Sequence, residues 1–308
     1  MACRTFTHFA PRAPQHSIAC MTYDLIIGDY AYSSWSMRAW LLFDRFGLGP
    51  RLTEIAFADG HVPDLMSDWV PAKTVPSVRT PEGALIGESL AIAEELASRH
   101  PDLPLWPATP LARATARAAT AEMHAGFTAL RGDCPMNMRK AYTNFVPSDA
   151  VLADLRRLEV VWDHALATCA PDGPWLCGAY GIIDAFFAPV AARNAGYALP
   201  VSRSAQAYVD AHLADPSFRR WRALGLVHGA DLERYRRDYA TGAWPGPGPR
   251  AAQAVDGGKP ENSACPYSGK PVTHLMEMDG RIFGMCNSRC RNKTAADPEA
   301  WPQFMALV

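Results

Sequence analysis

Hydrophobic residues follow two different patterns near the start of the chain, and each predicts a regular element. The apolar run over residues 23–28 has the length and composition of a buried strand. From residue 35 to residue 46, apolar side chains recur every three or four positions, which predicts a helix. Gly47 follows as a helix C-terminus. The serine-rich segment 32–36 therefore lies where a strand gives way to a helix N-terminus.

The alternation of strand and helix continues to residue 100. Residues 51–57 predict a second strand, and Pro63 suits the first turn of a short helix. Residues 77–80 and 84–87 predict an antiparallel hairpin, after which Glu88-Ser89 begins another helix. This order predicts an α/β domain over residues 23–100, with a parallel first strand pair and an antiparallel second pair.

A proline-rich connector then leads into a region with helical periodicity, and we predict an all-α domain over 101–240. The predicted helices cover 111–130, 149–167, 178–194, 202–213 and 218–226. The first is rich in alanine, and we expect one of its faces to pack closely. That face consists of Ala114, Ala118, Ala121 and Ala125.

The last part of the chain changes character twice. Residues 241–263 are rich in glycine and proline and predict a flexible linker. Residues 264–308 predict a small ββα module whose hairpin turns at Asp279-Gly280. Cys286 ends its second strand and Cys290 enters its helix, so both sulfurs can face the same point. So short a module rarely has a stable core of its own, and a bound metal would supply the missing stability.

Composition and charge narrow the possible functions. With 308 residues, 49% hydrophobic and 20% charged, the chain is long enough for about two domains with a sizeable core. A net charge of -1 does not indicate nucleic acid or an anionic membrane as a partner, and no apolar run predicts a membrane span. Scattered cysteines indicate a reducing cytoplasm rather than a secreted disulfide scaffold. Residues 1–22 predict a disordered leader, with a transit peptide or a true start at Met21 as alternatives.

The serines at the first predicted helix are candidates for chemistry. Unpaired N–H groups and the positive end of the helix dipole suit an anion such as a thiolate, to which the hydroxyl of Ser33 or Ser34 can donate. A free thiol has a pKa near 8.5, and lowering it to about 6.5 requires roughly 2.7 kcal/mol, which a hydroxyl and a helix N-terminus can supply. Ordinary helix capping by these serines is the alternative.

Three short motifs, Ser33-Ser34, Val75-Pro76 and Glu88-Ser89, stand in an order that resembles the thioredoxin-like N-terminal domain of the glutathione transferase superfamily. The tract 33–38 is most similar to the serine-type classes, especially zeta. The resemblance covers about residues 22–240. It implies a homodimer that uses glutathione as co-substrate, with a cis bond between Val75 and Pro76.

The resemblance also implies roles for individual residues. The backbone of Val75 would pair with the cysteinyl part of glutathione, and Lys73 is a candidate for its glycyl carboxylate. Ser89 would hold the γ-glutamyl carboxylate and Glu88 its ammonium, a chemically sensible pairing for which capping by Ser89 is the alternative. Asp184 occupies the place of a buried capping box, which makes it structural. The loop 131–139 either faces the cleft or is a plain turn.

The spacing of Cys265, Cys286 and Cys290 resembles the small TRASH/YHS metal-binding modules. Thiolates suit zinc, with copper or iron as alternatives. His274 is a candidate fourth ligand, and a water molecule or an open position is another. Three reduced thiols without a metal remain an alternative, because structural zinc sites usually have four protein ligands.

These features predict a glutathione transferase in which Ser33, or Ser34 one position later, holds the glutathione sulfur as a thiolate that attacks a small electrophile. Glutathione-dependent cis–trans isomerisation of maleyl-type compounds is an alternative, although Trp35 stands where zeta-like members carry a cysteine. A non-catalytic scaffold that presents the tail for metal delivery or sensing is another. The absence of cysteine from the serine turn argues against a thiol–disulfide role there.

Overall fold

The computed structural model describes residues 22–170 and 172–308, so the predicted leader lies outside the described residues except for Thr22. Cys3 and Cys20 also lie outside them. The first sheet contains the strands β1 (Asp24–Ile27), β2 (Arg51–Glu54), β3 (Ser77–Arg79) and β4 (Leu85–Ile86). Its order is β2-β1-β3-β4, with β1 parallel to β2 and antiparallel to β3. The predicted mixture of parallel and antiparallel pairing is confirmed.

Three helices accompany this sheet: α1 (Ser34–Arg45), α2 (Val62–Leu65) and α3 (Ser89–Arg99). A 3-10 turn, Ser67–Trp69, follows α2. The side chains of Leu25 and Ile26 point to opposite faces of β1 and both are buried, so both faces of this central strand are covered. The predicted thioredoxin-like α/β domain is confirmed.

The following region is helical, as predicted. Its helices are α4 (Pro110–Ala125), α5 (Thr128–Asp133), α6 (Asp149–Cys169), α7 (Ile182–Tyr197), α8 (Arg203–Ala214) and α9 (Pro216–Val227). Every residue of α7 is buried, and this helix packs against α1, α4 and α8. A helix that is apolar all round has no solvent face to present, so α7 forms the centre of the core.

Two expectations for the first long helix of this region are wrong. It ends at Ala125, and Phe127 adopts a left-handed conformation (φ 57°) before α5 begins. The expected alanine face is exposed, and the buried face carries Ala112, Ala116, Ala119, Thr120 and Met123. Because alanines occur all round this helix, their spacing alone does not identify the buried side, which here is the side that carries Met123.

The start of α7 explains why glycine replaces the usual capping residue. A Cβ at Gly181 would lie 3.0 Å from the carbonyl oxygen of Leu105, so a side chain would crowd the connector. The carboxylate of Asp184 accepts from the N–H groups of Gly181 (2.9 Å) and Leu176 (3.2 Å) and from the Tyr208 hydroxyl (2.9 Å). Burial raises the pKa of Asp184 to about 6, although these donors oppose the shift. The carboxylate thus ties the preceding loop to the helix.

The tail contains a second, antiparallel sheet with the order β5-β6-β7, followed by two helices. These elements are β5 (Ala252–Val255), β6 (His274–Met278), β7 (Arg281–Met285), α10 (Ser288–Ala296) and α11 (Pro302–Met305). The prediction of a ββα module therefore missed one strand, β5, which lies within the segment predicted as a linker, 241–263. The sequence of β5 carries only a weak apolar pattern, and its backbone pairing with β6 forms the strand.

Ion pairs join the tail to the helical domain and to the first sheet. Arg219 binds both carboxylate oxygens of Asp297, at 2.8 and 2.7 Å, and Arg289 reaches Glu54 at the end of β2 (3.1 Å). The helix α10 packs against α9 in the same region. Among the described helices, none is long and apolar enough to cross a membrane.

Candidate functional site

The N-terminus of α1 is held by a chain of three hydrogen bonds. Ser33 is the N-cap, and its oxygen accepts from the N–H of Ser36 (3.3 Å) while its hydroxyl donates to the Ser36 oxygen (2.7 Å). The N–H of Gly28, at the end of β1, also donates to the Ser36 oxygen (3.1 Å). Gly28 is required there, because a Cβ would lie 2.4 Å from the ring of Phe57. Strand, cap and helix are thus joined at one buried point.

A cleft of about 710 Å³ opens beside this helix start. Four of the predicted site residues, Ser33, Ser34, Lys73 and Val75, line it. The bond between Val75 and Pro76 is cis, as the resemblance implies, and Pro76 itself is buried. The structure therefore brings the serine turn and the segment before β3 to one cavity.

The cleft wall is cationic. Lys73, Arg131, Arg193 and Arg234 line it, and no aspartate or glutamate is found among its described lining residues. In the part of the chain that the structure describes, none of these four cations forms an ion pair with a carboxylate. Arg193 donates to the Ser34 oxygen (3.4 Å). Burial, and then the neighbouring Arg131, lower the pKa of Arg193 to about 10, so it stays charged at neutral pH.

Aromatic side chains complete the cleft. The ring of Trp35 lies between two guanidinium groups, with Arg38 at 4.4 Å and Arg131 at 4.7 Å from its centroid. Tyr32 stacks on Tyr235 with their centroids 4.6 Å apart. A ligand with a flat or anionic group would therefore meet both stacking surfaces and positive charge.

The sequence predicted only some of the residues that line the cleft. Of the two interpretations of the loop 131–139, the cleft-facing one holds, since Arg131 and Met136 line the cavity. Arg193, Arg234 and Tyr235 were not predicted. They lie far along the chain from the serine turn, and a single sequence carries no signal that a charged residue of a buried helix reaches a distant cleft.

The start of α3 differs from the start of α1. Glu88 is its N-cap, but the Glu88 side chain makes no capping hydrogen bond. Its carboxylate oxygen Oε2 lies 3.3 Å from Nε2 of His124 in α4. Ser89 is 2% exposed, and its hydroxyl has no hydrogen-bond partner. Capping by the Ser89 side chain, the alternative considered for this motif, is therefore wrong. Neither Glu88 nor Ser89 lines the cleft. Thr74 does line it, and its hydroxyl donates to the carbonyl oxygen of Gly87 (2.9 Å), the residue before Glu88.

The tail brings its three cysteines together as their spacing indicates. The sulfurs of Cys265, Cys286 and Cys290 lie within 4.8 Å of one another, and no other His, Cys, Asp or Glu of the described residues joins the group. Burial would raise the pKa of Cys265, but donors including the Tyr267 N–H lower it to about 7. His274 is not a fourth ligand, because it stands outside the group and its ring bonds the neighbouring threonine hydroxyl (2.9 Å).

Comparison with known proteins agrees with this geometry. Residues 32–99 match the sequence model of the glutathione S-transferase N-terminal domain. The solved glutathione transferase Omega 2S from Trametes versicolor superposes with a TM-score of 0.54 at 22% identity, over 70% of this chain and 99% of that one. The chain has the glutathione transferase fold. The Tau class glutathione S-transferase MiGSTU from mango, Mangifera indica, gives a TM-score of 0.50 at 17% identity, over 66% of this chain and 95% of that one.

A comparison with curated protein sequences found no match. Within the glutathione transferase fold, the cleft lies between the two main domains. The α/β domain contributes Ser33 and Val75, while the helical domain contributes Arg131 and Arg193.

Proposed function

We propose that the protein is a glutathione S-transferase that binds glutathione in this cleft and activates its thiol as a thiolate. The main support is that two serine hydroxyls at a helix N-terminus and four Lys or Arg side chains line the same cleft, which has no carboxylate among its described lining residues. Such a site stabilises an anion through hydrogen bonds, dipole and charge together.

Glutathione has charged groups at both ends, and the predicted residues suit them. Lys73 binds the glycyl carboxylate, and the backbone of Val75 pairs with the cysteinyl unit. The γ-glutamyl end extends past the residues that line the cleft to the start of α3, where the N–H groups and the hydroxyl of Ser89 hold its carboxylate and Glu88 binds its ammonium. The unbonded hydroxyl of Ser89 supports this placement, because buried polar groups in proteins almost always have a partner.

Ser33 holds the sulfur. Its hydroxyl donates to Ser36 in the structure, but hydroxyl groups rotate, and the bond between the two serines can reverse. Ser36 then donates to Ser33 while still accepting from the N–H of Gly28, and Ser33 donates to the thiolate. Each donor in this chain polarises the next, which strengthens the final hydrogen bond. The thiol proton leaves to solvent, and the thiolate attacks the electrophilic carbon. In a substitution the leaving group then departs, and in an addition to a double bond a proton from solvent completes the product.

The electrophile carries a carboxylate. Arg131 and Arg234 have no part in binding glutathione in this arrangement, and neither is paired with a described carboxylate.

The same observation favours a second activity, the isomerisation of maleyl-type acids. In that reaction the thiolate adds to the double bond, the resulting single bond rotates, and the thiolate leaves again. No cysteine of the protein is needed, so Trp35 does not exclude it.

We also propose that the tail binds zinc, or another soft or borderline metal, through Cys265, Cys286 and Cys290. Three sulfurs within 4.8 Å of one another suit such an ion, and the described residues leave its fourth position to water. The ion would stabilise a module too small for a large core. A cytoplasmic homodimer is part of the same proposal, because the resemblance implies a dimer and reduced thiols suit that compartment.

The decisive experiment combines glutathione-affinity retention of the full chain with two substrates of similar intrinsic reactivity: an α,β-unsaturated ketone that carries a carboxylic acid remote from the double bond, and the methyl ester of that acid. We expect retention on the resin and conjugation of both substrates, with the acid faster. Arg131→Ala should slow the acid about tenfold and leave the ester unchanged, since one ion-paired hydrogen bond contributes roughly 1.5–3 kcal/mol. Arg117→Ala is the matched control, because Arg117 is an exposed arginine of α4 that pairs with Glu94 outside the cleft.

Failure of the chain to bind glutathione, with metal still bound to the tail, would instead support a non-catalytic scaffold. Equal rates on acid and ester, unaffected by Arg131→Ala, would overturn the anionic substrate but leave the transferase proposal standing.

A further inference from the structure

Two cysteines outside the metal cluster lie in direct contact. Cys169 is the last residue of α6, and Cys177 lies in the loop before α7. Their sulfur atoms are 2.6 Å apart, which is closer than a van der Waals contact and somewhat longer than the bond of about 2.05 Å in a disulfide. Both side chains are half-buried and line a groove of about 1180 Å³, so a small molecule can reach them.

The backbone already brings these residues together. Ala170 adopts a left-handed conformation (φ 43°) at the end of α6, and Gly178 has a φ of 102° just beyond the second cysteine. A bridge between Trp175 and Gly178 fixes the turn that contains Cys177. The turn that a disulfide requires is therefore part of the fold.

The other cysteines of the described residues have different surroundings. Cys134 is buried, and burial raises the pKa of its thiol to about 12. Cys265, Cys286 and Cys290 lie together in the tail, where they form the proposed metal site. We infer that Cys169 and Cys177 form a reversible disulfide, with the disulfide of a small thiol, such as oxidised glutathione, as the oxidant.

The exchange balances without another reactant. The Cys169 thiolate attacks one sulfur of glutathione disulfide, forms a mixed disulfide, and releases one glutathione. Cys177 then attacks the Cys169 sulfur, and the second glutathione leaves as the intramolecular disulfide forms. The two thiol protons end on the two glutathione molecules. Burial and the adjacent Cys169 raise the pKa of Cys177, which agrees with Cys169 as the attacking thiol and Cys177 as the resolving one.

Oxidation would act on the start of α7. The residue before Cys177 is Leu176, whose N–H binds the Asp184 carboxylate in the capping box of that helix. A disulfide would anchor this loop to the end of α6 and reduce the freedom of the unfolded chain. We expect the thermal unfolding midpoint of the oxidised protein to rise by roughly 5–10 °C, as for a closed loop of this size in a large chain.

The test uses the full chain and a convenient feature of its sequence. No Lys or Arg lies between Arg157 and Arg193, so trypsin releases both cysteines in the peptide 158–193, while Cys134 falls in the peptide 132–139. The protein is incubated with glutathione disulfide, alkylated with iodoacetamide after denaturation, and digested. We expect the peptide 158–193 to carry no alkyl group and to be lighter by two hydrogens than its reduced form. The peptide 132–139 should be alkylated as before.

The single variants distinguish the two roles. Cys177→Ser should keep one glutathione on Cys169 as a stable mixed disulfide, and neither it nor Cys169→Ser should show the rise in unfolding midpoint. Cys134→Ser should form the disulfide like the unaltered chain. Alkylation of both cysteines in 158–193 after oxidation, or a persistent mixed disulfide in the unaltered chain, would overturn the inference. None of these measurements requires transferase activity.

Discussion

The two helix starts of the α/β domain look alike in sequence and differ in the structure. Both α1 and α3 begin at a serine motif, and both were candidates for capping and for binding. At α1, Ser33 caps the helix and exchanges hydrogen bonds with Ser36. At α3, Ser89 is as deeply buried but its hydroxyl bonds nothing.

The difference separates Ser33, which stabilises the fold and would also hold the thiolate, from Ser89, whose hydroxyl would bond a ligand alone. A buried hydroxyl without a partner lowers the free energy of unfolding by roughly 1–3 kcal/mol. A protein tolerates this cost where a bound ligand forms a hydrogen bond with that hydroxyl. Capping by Ser33, in contrast, contributes about 1 kcal/mol whether or not a ligand is bound. Substitutions at the two positions should therefore separate stability from binding.

The largest effect is expected from Ser33→Ala. Loss of the hydroxyl that holds the thiolate should lower kcat/KM about 10²-fold, the usual result of removing one donor to a developing anion. The pH at which the rate reaches half its plateau should rise from about 6.5 toward about 8.5, because less of the bound thiol is ionised. Conjugation rates between pH 5 and pH 9 measure both. A full rate for Ser33→Ala together with a lost rate for Ser34→Ala would transfer the role to Ser34.

A smaller and different effect is expected from Ser89→Ala. The KM for glutathione should rise about tenfold while kcat stays unchanged, because a charge-assisted hydrogen bond to the γ-glutamyl end is lost. The free energy of unfolding should not fall, since the hydroxyl has no partner to lose. Steady-state kinetics and urea unfolding measure the two quantities. Ser98→Ala, at an exposed position of the same helix, is the control, and equal KM values for the two variants would contradict the proposal.

Ser36→Ala tests the chain of donors behind Ser33. It removes the partner of Ser33 and the acceptor of the Gly28 N–H, so it should destabilise the protein by roughly 1–3 kcal/mol. The rate should fall only about threefold to fivefold, because cooperative strengthening adds a modest share to each hydrogen bond. The pH profile should shift in the same direction as for Ser33→Ala, but less. An unshifted profile would mean that Ser36 is purely structural.

The smallest effect on conjugation is expected from Cys290→Ser, which leaves both helix starts untouched. Bound zinc, measured by metal analysis of the full chain, should fall from about one ion per chain to almost none, because only two thiolates remain. The conjugation rate should stay within about twofold of the unaltered protein, since helix capping and the cleft are unaffected. A chain that binds no zinc even with all three cysteines would contradict the metal proposal.

Much of this architecture was predictable because its signals are local. Periodicity predicted the helices, Gly47 predicted the end of α1, and short spacing predicted that Cys286 and Cys290 would meet. The order of strands and helices, with three short motifs, was sufficient for the thioredoxin-like domain. Each of these signals depends on residues within a few positions of one another, where backbone geometry limits the outcomes.

Only the tertiary structure decided which side chains share a site. Arg193 and Arg234 reach the cleft from segments far along the chain from the serine turn. The hydroxyl of Ser89 has no hydrogen-bond partner, whereas that of Ser33 does. The strand β5 lies in the predicted linker and forms by pairing with β6. The contact between Cys169 and Cys177 likewise depends on how one loop closes. Most of these contacts depend on packing between elements far apart in the chain. The two cysteines are only eight positions apart, but their contact depends on the left-handed turn at Ala170. No pattern within one element encodes either kind of contact.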